Sequence, residues 1–497
     1  MPIKIDHQLT PEKLLPKIER LFELSAPKIL DLARVWKPGH GAPVFTVKGR
    51  YTTRGWTEWT QGFQIGSALL QFDATGDERF LHLGRRATVE QMATHVSHVG
   101  VHDHGFNNIS TYGNLLRLIR EEKIPHQPRE QEFYELALKV SGAVQAARWT
   151  RIANGQGFIY SFNGPHSLFI DTLRSLRSLA VAYQLGHVLT GEHDQRISLL
   201  GRLIDHAETT ATHGIYYGRG RDAYDVRGRT AHESIFNLND GSYRCPNSQQ
   251  GYSPFSTWTR GLAWAICGFA EQIEFLQSVS GDEVAAAVVP PALLQSNDQA
   301  GLPRSPRGGR WPRRSQADLA TRLRRLRTML LDATTATADF YLENSCADGV
   351  PMWDTGAPNL HRLPADYLRR PADPFNRWEP VDSSAAAVAA QGLVRLGNYL
   401  AARGATKDAA RYRQAGLTVT RTLLAEPYLC THLKHQGLLL HSVYHRPNGW
   451  DYIAPGRHVP NGESSMWGDY HARELALLLL RELRGERYLT FFDQPKP

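Results

Sequence analysis

Apolar side chains recur along this chain at intervals of three and four, the spacing of one face of a helix. Twelve stretches carry the pattern, near residues 11–34, 61–75, 78–97, 107–121, 129–149, 167–190, 193–213, 256–279, 315–344, 381–402, 405–426 and 466–485. Strict apolar–polar alternation, the sign of a half-buried strand, is scarce. HVLTGEHDQ and LVRLGNYLAARGATKDAA contain short glycine breaks of the kind that join adjacent antiparallel helices.

The connections alternate in character. Those after the odd-numbered stretches are mostly long and rich in Trp, His, Asn, Gly and Asp. Those after the even ones are mostly short: DATGD, EEKIPHQPR, TGEHDQ and RGAT. In up-and-down helical hairpins, successive connections lie at opposite ends. All the long, chemically rich connections therefore share one face, where function tends to sit. Stacked hairpins also occur in α-solenoids, which repeat at a fixed period. No such period is present here. Twelve helices in six hairpins predict an all-α (α/α)6 barrel, one large domain spanning 1–497.

Composition narrows this reading. Hydrophobic residues make up 41% and charged residues 21%, the usage of a folded globular chain. There is no run of about 18 apolar residues and no leader-like N-terminus, so no membrane association is expected. Cys245, Cys267, Cys346 and Cys430 form no CxxC pair, which favours free thiols and a cytoplasmic location over a zinc site. The net charge is +8, but residues 281–327 alone hold nine arginines against four acidic residues. Most of the surplus thus belongs to a Pro/Arg-rich segment, 280–314, expected to be a mobile insertion on the face away from the long loops. No basic stripe interleaved with aromatics is present, so nucleic acid is not an expected partner.

Candidate chemistry lies in the long connections. HDHGFNN (102–108) places Asp103 before a helix, where an aspartate ordinarily caps free N–H groups. His102 and His104 flank it, but no third ligand cluster matches them, so no metal is expected. In SLFIDTLRSL, Asp171 opens a strongly apolar helix. Burial and a facing carboxylate would both raise its pKa and keep a proton available for general acid catalysis. In QQGYSPFSTWTRGLAWAICGFAE, Arg260 and Trp264 share a helix face, with Gln250 and Tyr252 just ahead. Arg suits a carboxylate, Trp the face of a pyranose and Gln its hydroxyls, a set that fits a sugar acid. Trp56 and Trp59 precede the second helix, and HSVYHRPNG (441–449) lies on the same face.

QGYSPFSTWTRGLAWAICGF, DGVPMWDTGAP, DSSAAAVAAQGL and ESSMWGDY, in this order, resemble glycoside hydrolase family 88, the unsaturated glucuronyl hydrolases. The similarity runs from about Trp56 to Tyr470. It implies an (α/α)6 barrel that removes the 4,5-unsaturated uronic acid left at the non-reducing end by polysaccharide lyases, without metal or organic cofactor. The implied partner is an unsaturated uronic-acid oligosaccharide. The two key aspartates match Asp103 and Asp171, with Asp171 as proton donor. Substrate contacts match Trp59, His232, Gln250, Arg260 and Trp264, with Ser464 and Ser465 near the aglycone; His102, beside Asp103, joins this set. Pro254 and Phe255 stand where the family usually has two acidic residues, and Leu262 replaces a common Gln. Unsaturated rhamnogalacturonyl hydrolysis, hydrolysis of saturated glucuronides, sugar epimerisation and oligosaccharide binding remain as alternatives.

Overall fold

Six helices of the computed structural model are buried along most of their length, and together they close a ring. The structure describes residues 2–493 except 38, 56, 57 and 289–315. In chain order the barrel helices are Pro11–Val35 (α1), Gln61–Thr75 (α2), Glu78–Gln91 (α3), and His104–Asn108 continued through Ile109–Gly113 into Asn114–Arg120 (α4). They continue with Pro128–Ala147 (α5), Thr172–Ser175 with Arg177–Gln184 (α6), Leu199–His213 (α7) and Thr259–Phe275 (α8). Gln316–Asn344 (α9), Ser383–Ala401 (α10), Thr406–Leu423 (α11) and Met466–Leu483 (α12) complete the set.

The even helices pack in order, α2 on α4, α4 on α6, and so on to α12, which returns to α2. The odd helices form the outer layer: α3 lies on α2, α5 on α6, α9 on α8 and α11 on α10. This is the (α/α)6 barrel. It explains the two kinds of apolar pattern. Ser383–Ala401 is buried almost throughout, because it is covered on both sides. Its outer partner Thr406–Leu423 has one buried stripe and one exposed face. The inner helices approach closely enough to exclude side chains. A Cβ on Gly105 of α4 would stand 2.2 Å from the Ser175 carbonyl oxygen of α6.

Three expectations need correction. Helix 167–190 begins later than its apolar run, because Ser167–Phe169 is a strand paired antiparallel with Glu233–Phe236, itself paired with Tyr243–Asn247. Helix 193–213 begins at Leu199, since Arg196–Ile197 pairs with Leu189–Thr190 in a small hairpin. The segment 280–314 is helical where described: Gly281–Val288 packs on α7 and α9 and buries Val284. Residues 289–314 of the expected insertion, and Trp56, lie outside the described residues. Among the described residues, no helix is long and apolar enough to cross a membrane.

Candidate active site

All six inner helices point their N-termini at the loop-bearing end of the barrel, where a cavity of about 570 Å³ opens. Helix N-termini carry partial positive charge, so this end favours an anion. The residue ahead of each helix shows how the site is built. Asp382 caps α10, its Oδ1 accepting from the N–H groups of Ser384 (3.0 Å) and Ala385 (3.3 Å). Ser465 caps α12 through the Gly468 N–H (3.1 Å). Asp103 and Asp171 occupy the same position on α4 and α6, yet neither carboxylate caps its helix. Both line the cavity, 7% and 8% exposed.

Between them stands His102. Its Nε2 is 3.1 Å from Asp171 Oδ1 and 3.7 Å from Asp103 Oδ1. The ring is packed among Phe162 and Phe169, and its Nδ1 has no hydrogen-bond partner among the described residues. Burial pushes both acids up, but the His102 charge and hydrogen bond override it at Asp171, which is held below the usual range. At Asp103 burial prevails, helped by the Asp171 charge, and the carboxyl stays above its usual value. For His102, burial acts downward, but the two acids outweigh it and raise the imidazole. The two acids are thus pushed in opposite directions, because the imidazole lies closer to Asp171 than to Asp103. His104 turns away from this group, hydrogen-bonded to Ser141 Oγ and the His98 carbonyl, each at 3.0 Å.

Arg260 lines the cavity from α8 but is only 1% exposed. Its guanidinium is sandwiched between Trp258 and Trp467, 4.6 and 4.7 Å from the ring centres. Nη1 reaches Asp382 Oδ2 (3.2 Å) and the Val443 carbonyl; Nη2 reaches the Tyr444 carbonyl (2.8 Å) and Gln250 Oε1 (2.9 Å). The terminal hydrogens are thus spoken for by protein acceptors. With its oxygen engaged, Gln250 keeps its amide NH2 to donate. Trp264 lines the cavity beside Phe106, and Trp59 stacks on Trp467 at 5.1 Å.

Three expected contacts stand behind the wall. His232 Nδ1 accepts the backbone N–H of Gln249 (2.9 Å) and Gln250 (3.3 Å), so its hydrogen is on Nε2. Burial pulls this histidine to about 3, which keeps it neutral. Asp354 holds the same loop through the Tyr252 N–H at 2.9 Å; burial raises this acid to about 6. Ser464 donates to Asp469 (2.6 Å), and Ser465 is spent on its cap, so neither lines the cavity. The wall also holds residues not singled out in the sequence: Phe162, Trp258, Tyr444, His445, Asn448 and Trp450. Three of them fall within HSVYHRPNG, a motif legible only as a whole.

No protein-family model matches the chain. Two curated relatives are named unsaturated glucuronyl hydrolase. The one from Bacillus sp. strain GL1 is 24% identical over 88% of this chain and 90% of its own length. The one from Formosa agariphila is 21% identical over 84% of this chain and 78% of its own. The crystal structure of unsaturated glucuronyl hydrolase from Streptococcus agalactiae superposes with a TM-score of 0.64 at 19% identity, covering 97% of this chain and 98% of that one. The relatives in sequence and in fold are thus unsaturated glucuronyl hydrolases, as the motifs implied.

Proposed function

We propose that this chain is a glycoside hydrolase that removes a 4,5-unsaturated uronic acid from the non-reducing end of an oligosaccharide. The observation that carries the reading is the pair of uncapped helix-start aspartates, Asp103 and Asp171, joined by His102 on a cavity lined with tryptophan. Curated relatives of the same name, aligned over most of the chain, support it.

The chemistry follows from the substrate's vinyl ether. Trp59 and Trp264 offer apolar faces to the ring. The uronate accepts from the Gln250 amide in the positive field of Arg260 and the helix ends. The bound sugar excludes water from the pair, which raises Asp171 and lowers His102, so that the proton passes from the imidazole to the carboxylate. Asp171 then protonates C4, leaving positive charge shared by C5 and the ring oxygen. Water adds at C5 and returns a proton to Asp171. The hemiketal opens to a ketone at C5, and the hemiacetal at C1 releases the aglycone as an alcohol. One water is consumed, and no group attacks the anomeric carbon, in contrast to ordinary glycosidases.

Incubation with an unsaturated uronyl disaccharide should abolish the absorbance of the conjugated double bond. In heavy water the product should carry deuterium at C4. Equal turnover of a saturated glucuronide, or product without that label, would overturn the mechanism.

A further inference from the structure

A second cavity, about 290 Å³, lies between α1, α2, α3 and α12, away from the catalytic aspartates. Its inner wall includes Lys28, Tyr51, Ser67, Gln436, Asp469 and Arg473. Arg473 is 3% exposed and has no carboxylate within 4 Å among the described residues. Its Nε donates to Ser25 (2.7 Å) and Nη1 to Ser67 (3.3 Å), both neutral hydroxyls; Nη2 has no partner among the described residues. Asp469, four residues earlier on the same helix, is well placed to pair with it. Instead that carboxylate is filled by the Tyr51 hydroxyl (2.8 Å), the Ser464 hydroxyl (2.6 Å) and the backbone N–H groups of Leu438 and Leu439.

Lys28 is 2% exposed and also has no acidic partner. Its Nζ faces the His432 and His435 carbonyls (3.0 and 2.5 Å) and Cys430 Sγ (3.5 Å). The buried fixed charges around the cavity are therefore two cations and one anion. Arg86 and Glu90 also line it, but both are exposed and of opposite sign. A buried charge without a counter-charge is costly, and an arginine edge with open hydrogens matches a carboxylate.

We propose that this cavity binds a small monocarboxylate on the open Nη1–Nη2 edge of Arg473. One negative charge completes the balance, which favours a carboxylate over a phosphate dianion. Saturation-transfer NMR on the full chain with sodium acetate tests this. We expect saturable transfer to the acetate methyl group, at least ten-fold weaker in Arg473→Gln, with Asp171-dependent turnover kept. Absence of transfer from the wild-type protein, or full transfer in Arg473→Gln, would overturn the proposal. So would equal displacement of acetate by chloride or inorganic phosphate. A crystal soaked in sodium acetate gives a readout that needs no variant: carboxylate density should lie on the Nη1–Nη2 edge of Arg473, and acetate only elsewhere would refute the site.

Discussion

His102 is the residue that most changes the picture of the site. The sequence places it next to Asp103, but its hydrogen bond runs to Asp171, 69 residues away. Nothing in the local pattern encodes that contact; it exists because α4 and α6 are neighbours in the inner ring. Asp103 and Asp171 are legible as acids placed at helix starts, Trp264 as an aromatic sharing a helix face with Arg260, and Trp59 as an aromatic just ahead of α2. The engaged state of Arg260 is not, because two of its partners are carbonyls of Val443 and Tyr444. Asp171→Asn should lower turnover about 10²- to 10⁴-fold, the range for losing a general acid, with substrate binding retained; stopped assays with the unsaturated disaccharide measure both. Asp103→Asn should move the alkaline limb of kcat/KM to lower pH. The Asp103 charge helps hold His102 above its ordinary value, so removing it favours the neutral imidazole. An unchanged limb would assign Asp103 a packing role only.

At the scale of elements, the helical period located nearly every barrel helix, and α2 begins and ends where the apolar spacing says. Errors fall where backbone pairing overrides side-chain pattern: the strand Ser167–Phe169 ahead of α6, and the hairpin ahead of α7. The wide turn Ile109–Gly113 inside α4 has no sequence mark at all. Asp382 shows how one residue serves two elements. Its Oδ1 caps α10, while its Oδ2 meets Arg260 of α8, 3.2 Å away and fully buried. Asp382→Ala removes a cap and leaves a buried guanidinium without its counter-charge. We expect a loss of roughly 3–5 kcal/mol in denaturant unfolding, more than a cap alone accounts for. Asp382→Asn should keep part of the cap and none of the ion pair.

At the scale of the molecule, the ring is tied by buried ion networks that sequence patterns do not reveal, since their members are far apart in the chain. Asp73 of α2 meets Arg117 of α4 (2.7 Å), Arg481 of α12 (2.9 Å) and Lys123 (2.5 Å). Glu474 of α12 meets Arg174 (2.7 Å) and Arg177 (3.5 Å) of α6. Burial pushes both acids up, but the surrounding cations prevail and hold each at about 2. A carboxyl depressed on folding adds stability above its unfolded pKa and loses it as pH falls through the folded one. Each should contribute roughly 2–3 kcal/mol near neutrality, lost between about pH 4.5 and 2. Urea midpoints measured across that window should fall steeply, and Asp73→Asn should flatten part of the slope. Against this network stand the two bare helix starts. A serine, or an aspartate turned inward, would seal α4 and α6 for about 1 kcal/mol apiece, as happens at α10 and α12. At α4 and α6 the acid that could supply the cap faces the cavity instead. A descendant freed from the chemistry would be under selection to close both ends, so a capping bond at position 103 or 171 would mark a lineage in which turnover has been given up for robustness.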